Sequence, residues 1–186
     1  SAFAEGDADI LIGTQMIVKG HDFPDVTLVG VLAADLSLYT PDYRAAERTF
    51  QLLTQAAGRA GRDARHGDVI IQTYNPEHYS IVTAAEQDYE TFYHQEMAYR
   101  RLMKYPPVNV LFTVQMASKS EAALVEAADR LAAHITPQAD EEKVQMIGPV
   151  DASVYKINDI YRKILYLKQE NYDILIKIRD NIDCFQ

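Results

Sequence analysis

The residues best suited to chemistry in this sequence lie in one octapeptide, Gln55-Ala-Ala-Gly-Arg-Ala-Gly-Arg62. Arg59 and Arg62 stand three apart among small residues, which let a backbone approach a ligand closely. A guanidinium presents a fixed fork of donors that matches phosphate oxygens. Arginines held this way act as arginine fingers, stabilising charge on a phosphoryl group in transit. A plainer reading is a basic helix end, because cations are favourable near a helix C-terminus.

A second stretch lies upstream, Ile10-Leu-Ile-Gly-Thr-Gln-Met-Ile-Val-Lys-Gly-His-Asp22. Here an apolar strand is expected to run into a polar turn holding Thr14, Gln15, Lys19, Gly20 and Asp22. Together the two stretches resemble motifs V and VI of superfamily 2 helicases. Motif V there is a strand followed by Gly-Thr and then Gly-x-Asp, and motif VI is Gln-x-x-Gly-Arg-x-Gly-Arg. The longer runs from Gly13 to Leu32 and from Pro41 to Gln55 are similar to the bacterial replication-restart helicases of the primosomal type. The resemblance continues through Ile70-Ile-Gln-Thr-Tyr-Asn-Pro-Glu-His78 and the Tyr105-Pro-Pro107 turn, then fades.

That resemblance implies an ATP-dependent DNA helicase acting at stalled or recombined forks, where it reassembles a primosome. Superfamily 2 motors bind ATP between two RecA-like lobes. This chain has no Gly-x-x-x-x-Gly-Lys-[Ser/Thr] phosphate loop, so it reads as the later half of the second lobe. By the resemblance Arg59 and Arg62 reach the ATP phosphates, Arg62 serving as the γ-phosphate finger and Gln55 assisting. Gly20 and Asp22 would lie near the nucleotide. Gly13, Thr14 and Lys19 would meet DNA, although Lys19 could serve either ligand. ATP and Mg²⁺ would be shared with the absent first lobe, and this fragment alone is expected to hydrolyse no ATP. The implied partners are forked or single-stranded DNA, single-stranded-DNA-binding protein and other primosome proteins. Family zinc would be held by cysteines upstream of this chain, which itself is expected to bind no metal. The alternatives are another superfamily 2 motor, or a non-enzymatic module that recruits partners or fork DNA.

Composition sets the bounds. The hydrophobic fraction of 48% is enough for a packed core. A single cysteine, Cys184, excludes an internal disulfide or a cysteine-based zinc cluster and fits a reducing, cytoplasmic setting. No apolar run reaches membrane-spanning length, and no signal peptide is evident. Beginning Ser-Ala rather than with Met, the chain reads as an excised fragment. The net charge of −9 argues against binding of nucleic acid by bulk charge. DNA contact must then come from placed donors and a few cations.

The elements that must position these residues follow in order. Residues 9–13 and 26–32 read as buried strands, the second rich in Val and Leu as for a parallel strand covered on both faces. Residues 36–39 read as a loop. Thr40-Pro41-Asp42 predicts a helix start, with Thr as N-cap and Pro at the first helical position, running to Ala57 or Gly58. Phe50, Leu53 and Ala57 should face the sheet, and Gln55 and Arg59 should stack four apart. A third strand follows at 68–73, completing an α/β layer with a parallel sheet.

Residues 77–103 read as mostly helical, with Tyr79, Tyr89, Phe92, Tyr93 and Tyr99 packing inward. Residues 110–117 alternate as a strand. A helix over 121–135 buries Leu124, Ala128, Leu131 and Ile135, and 137–143 read as an acidic loop. Strands at 144–150 and 161–168 and a helix at 172–182 complete a ferredoxin-like α+β order that lacks its closing strand, so the chain is expected to stop early. The divisions are thus 1–80 for the helicase lobe, 81–107 for a helical connector and 108–186 for the C-terminal domain. In that last domain Tyr155-Lys156, Tyr161-Arg162-Lys163 and Tyr166-Leu-Lys168 interleave aromatic and basic residues. Arg162 and Lys163 are therefore candidate single-strand contacts, with a solvated outer face as the plainer reading. The family's basic run after Gly148-Pro149 is not kept, and Ala33 stands where relatives carry an acid.

Overall fold

The computed structural model describes residues 2–14, 26–60 and 67–185. The chain divides into two units, Ser1–Met97 and Ala98–Gln186, and the division falls within a helix.

In the first unit, β1 (Leu28–Val31) and β2 (Asp68–Ile71) pair in parallel, Leu28 opposite Asp68 and Val31 opposite Ile71. Alternation turns Val31 and Ile71 toward a core of Ala34, Phe50, Leu53, Ile81, Ala84 and Phe92. It also leaves Leu28 57% and Ile70 60% exposed. The expectation of a strand covered on both faces is met on one face only. The expected strand at 9–13 is not formed either. Ile10 and Ile12 are exposed, and the described sheet of this unit has two strands. An apolar run becomes a strand only when a neighbour takes up its backbone groups.

The segment 36–39 is no loop but part of a 3-10 helix, Ala34–Tyr39. It displaces the start of the next helix, so α1 runs Ala45–Ala57 rather than from Pro41. Asp42 organises that start. Its carboxylate accepts the Arg44 N–H at 2.9 Å and pairs with Arg48 at 2.8 Å. Phe50, Leu53 and Ala56 form the buried stripe, with Ala56 in the place expected of Ala57.

The long helix expected over 77–103 is broken in two, α2 (Tyr79–Ala85) and α3 (Tyr89–Met103). Gln87 takes a left-handed φ of 55°, and Asp88 restarts the helix by accepting the Thr91 N–H at 2.9 Å. Phe92 stacks on Phe50 with centroids 4.2 Å apart, and Tyr79 packs on the same core. Tyr89, Tyr93 and Tyr99 are exposed, so the aromatic run is not all core.

The second unit is an antiparallel sheet of β3 (Val110–Ser118), β4 (Gln145–Ile157) and β5 (Ile160–Gln169), in the order β3-β5-β4. Helices α4 (Glu121–Glu141) and α5 (Tyr172–Asp183) accompany it. β3, α4 and β4 form a split βαβ unit with β5 between the two strands, the ferredoxin-like arrangement. Val110, Phe112, Val114 and Met116 pack on Leu131, Ile135, Leu165, Leu167, Leu175 and Ile178. Ser120 caps α4, accepting the Ala123 N–H. That helix continues to Glu141 through Pro137, where a loop was expected. Ala139, fully buried, extends the apolar stripe beyond Ile135 and makes continued packing outweigh one lost backbone bond.

Candidate functional site

The octapeptide sits where a well-packed helix gives out. The Gly58 N–H still donates to Thr54 O at 3.0 Å. Arg59 and Ala60 then bond three residues back, to Ala56 O at 3.0 Å and Ala57 O at 3.2 Å. The last turn has tightened, a common way for helix ends to use their spare carbonyls. Gln55 and Arg59 therefore lie on either side of the α-helix terminus rather than on successive turns of one helix. Gln55 is exposed on α1, away from its buried stripe, and Arg59, half-buried, stands in the turn just past the helix end. Gly13 and Thr14 are also exposed. Lys19, Gly20, Asp22 and Arg62 lie outside the described residues.

Behind α1 lies a set of buried polar groups that the sequence reading did not single out. Asp35, 2% exposed, accepts the Tyr74 N–H at 3.1 Å just beyond β2. Burial pushes its carboxyl up. Hydrogen bonds from the Tyr74 and Asp35 backbone and from the Thr73 and Tyr39 side chains outweigh that and hold it below the usual range. Ser37 Oγ shares a hydrogen bond of 2.7 Å with Thr49 Oγ1, and the Thr49 hydroxyl also reaches Ala45 O at 2.9 Å. The joint is entered through Ala33, whose φ of 49° and ψ of 52° are left-handed. The available signal for Asp35 was an acid set among Ala33, Ala34 and Leu36 directly after an apolar strand.

His78 caps α2 through Nδ1, which accepts the Ser80 N–H at 3.3 Å. Burial lowers its pKa, against the pull of Glu96. Glu96 in turn accepts the Tyr79 hydroxyl at 2.5 Å.

In the second unit the two candidate cations are separated by strand geometry. Arg162 pairs opposite Ala117 and shares with Ile164 and Tyr166 the sheet face turned away from the core under α4 and α5. Lys163 points the other way, opposite Met116, and is held by Asp151 at 2.8 Å. The structure does not bring them together on one surface. Lys156 is likewise engaged, with Asp159 at 2.9 Å and over the Tyr161 ring at 4.8 Å. Tyr155 donates to Glu121 at 2.6 Å, and that bond first, then burial, pushes its pKa up to about 12.

Lys168, counted in sequence with the basic face, is only 5% exposed. Its ammonium donates to Met103 O at 2.9 Å and stands 3.7 Å from the centre of the Tyr105 ring. Burial lowers its pKa, and Lys104 lowers it further. Arg100 is buried too and donates to Pro106 O at 2.9 Å. These two cations fasten the Tyr105-Pro-Pro107 turn rather than a ligand. Among the described residues no group of three or more His, Cys, Asp or Glu side chains could hold a metal ion. No described helix is long and apolar enough to cross a membrane.

Comparison with known proteins defines the class first. Residues 1–64 match the helicase conserved C-terminal domain, so the first unit carries part of a helicase lobe. Residues 101–182 match the primosomal protein N C-terminal domain. The two domains follow one another in this order along the chain. It is 50% identical over 172 residues to replication restart protein PriA of Bacillus subtilis (strain 168), covering 91% of this chain and 21% of that protein. It is 42% identical over 170 residues to the protein of that name from Synechocystis sp., covering 91% of the chain and 20% of the relative. With the Treponema pallidum (strain Nichols) protein the identity is 40% over 185 residues, 99% of the chain and 28% of the relative. The chain thus spans between a fifth and three tenths of the length of these relatives.

Proposed function

We propose that this chain is the later part of the second motor lobe and the C-terminal domain of an ATP-dependent DNA helicase that restarts replication at stalled or recombined forks. The observation that carries the reading is the exposed Gln55 and half-buried Arg59 at the end of a core-packed helix, within a chain so similar to replication restart proteins. Arg59, with Arg62 as the finger, would neutralise charge building on the γ-phosphoryl oxygens as the bond to the leaving diphosphate lengthens. Gln55 would orient the attacking water. Gly20 and Asp22 would contact the nucleotide, and Gly13, Thr14 and Lys19 a DNA phosphate. One loop-and-helix unit touching both ligands would couple hydrolysis to strand movement.

Mg²⁺ would accompany ATP and be shared with the first lobe; among the described residues no group of three or more His, Cys, Asp or Glu side chains could hold it. In the C-terminal domain, half-buried Arg162 and Tyr166 would offer charge and a stacking surface to a single strand on the sheet face they share. Lys163, held on the other face, would act separately. Forked or single-stranded DNA, single-stranded-DNA-binding protein and primosome proteins are the partners of this reading, and the cytoplasm its setting. The lobe, connector and terminal domain would divide as 1–80, 81–107 and 108–186.

The test replaces Arg62 or Arg59 by Ala in the intact parent protein. DNA-stimulated ATP hydrolysis should fall by about a thousandfold for the finger, as loss of such an arginine does. ATP and DNA affinities should change far less. Unchanged turnover in both variants would return the octapeptide to a plain helix end and favour a recruiting module. The isolated chain should show no DNA-stimulated turnover.

A further inference from the structure

None of the roles above uses the buried polar groups between β1 and α1. Asp35 is a carboxylate that burial makes costly. It is retained by neutral donors alone in its described contacts: the Tyr74 N–H, its own backbone, and the Thr73 and Tyr39 hydroxyls. An apolar side chain would fill such a site without needing directional partners. What the carboxylate adds is direction, since each bond fixes an angle as well as a distance.

Those directions run along a continuous path. Ala34 N–H donates to Gln72 O at 2.9 Å, and Asp35 takes the Tyr74 N–H, so the 3-10 helix is tied to the end of β2 at two points. Ser37 then ties the 3-10 helix to Thr49, which is 1% exposed in the middle of α1. From Thr49 the helix is regular to Ala57, so a shift at Thr49 is carried whole to Gln55 and to the turn bearing Arg59. The left-handed Ala33 at the entrance is a strained conformation of the kind that persists only where surrounding contacts enforce it.

We propose that Asp35 is a positioning residue for the motor reaction: through Ser37 and Thr49 it sets where α1 presents Gln55 and Arg59 to the phosphates. The inference rests on the helicase reading above. It adds a second group of residues, away from the phosphates, on which turnover depends.

The experiment compares Asp35→Asn, Thr49→Val and Thr49→Ser in the intact parent protein. Each is measured for kcat, KM for ATP, DNA affinity and thermal midpoint. Asp35→Asn puts an amide donor among groups that donate, and Thr49→Val removes the shared hydrogen bond while keeping shape. Both should lower kcat, Asp35→Asn by about a hundredfold, the scale on which a displacement of about 1 Å acts. KM for ATP and DNA affinity should hold, and Thr49→Ser should keep wild-type kcat. Retained kcat in both Asp35→Asn and Thr49→Val, even with a lowered midpoint, overturns the positioning role. If Asp35→Asn does not fold, Thr49→Val against Thr49→Ser decides alone. Arg59→Ala, run in parallel, separates the two levels. Full turnover there and in Arg62→Ala removes the helicase reading and this inference with it. Loss there, with no loss in Asp35→Asn or Thr49→Val, removes this inference only.

Discussion

The two units solve the burial of a sheet differently. In the second, three strands present one face to α4 and α5, and the alternation of β3 matches that face residue for residue. In the first, β1 and β2 are apolar on both faces, yet only the side of Val31 and Ile71 meets the core. Leu28, Ile70, Ile10 and Ile12 remain exposed. Amphipathic alternation specifies a layer that the domain itself completes. A uniformly apolar strand specifies only that cover is required, without saying what supplies it.

The difference is open to direct attack. Leu165→Ala, in the closed core of the second unit, should cost about 2–5 kcal/mol, read from urea unfolding by circular dichroism. Acid should act next, on the first unit. Asp35 is held below its ordinary value of 3.8, so its contribution is complete above that pH and is lost as pH falls through the folded value. An acid titration of unfolding should therefore be steeper below pH 3.8 for the wild type than for Asp35→Asn.

A smaller gain is expected from Ala33→Gly. A left-handed conformation costs an L-residue roughly 1–2 kcal/mol, and glycine's greater freedom when unfolded offsets part of the relief. The net should be a stabilisation of about 1 kcal/mol or less, measured as a rise in unfolding midpoint. Leu28→Thr and Ile70→Thr should have the least effect, within about 0.5 kcal/mol as for ordinary surface changes. A cost comparable to Leu165→Ala would break the comparison, because that face would then be covered in solution.

How much was legible follows from the same contrast. The inward residues of β3 and the stripe Leu124, Ala128, Leu131 and Ile135 could be read directly, because period and burial agree there. Pro137 hid the last turns of α4, since local propensity argued for a stop and the packing of Ala139 did not. Thr40 and Pro41 are good helix-start residues, but the 3-10 helix takes up the preceding chain and Asp42 instead fixes the turn that leads into α1. For the site, the octapeptide was visible by its spacing, and the groups that hold it were not. Asp35, Ser37 and Thr49 are joined across the fold, and no local pattern marks such a relay. Arg162 and Lys163 carried an unused warning: neighbours on a strand face opposite ways.

The outer strands of the second sheet are unlike one another. β4 carries Pro149, two charged residues at Asp151 and Lys156, and two register shifts against β5. Its Gly148, at a φ of 108°, leaves no space for a side chain, since a Cβ would stand 2.8 Å from Ile164 O. Prolines, charges and bulges are what proteins place on sheet borders to deter unwanted self-association. β3 has none of them across Val110–Ser118, and among the described residues it pairs on one side only. That strand is regular over 9 residues. In concentrated solutions of this chain, aggregation should therefore begin along β3, and a lysine at Thr113 or Gln115 should suppress it without touching the core.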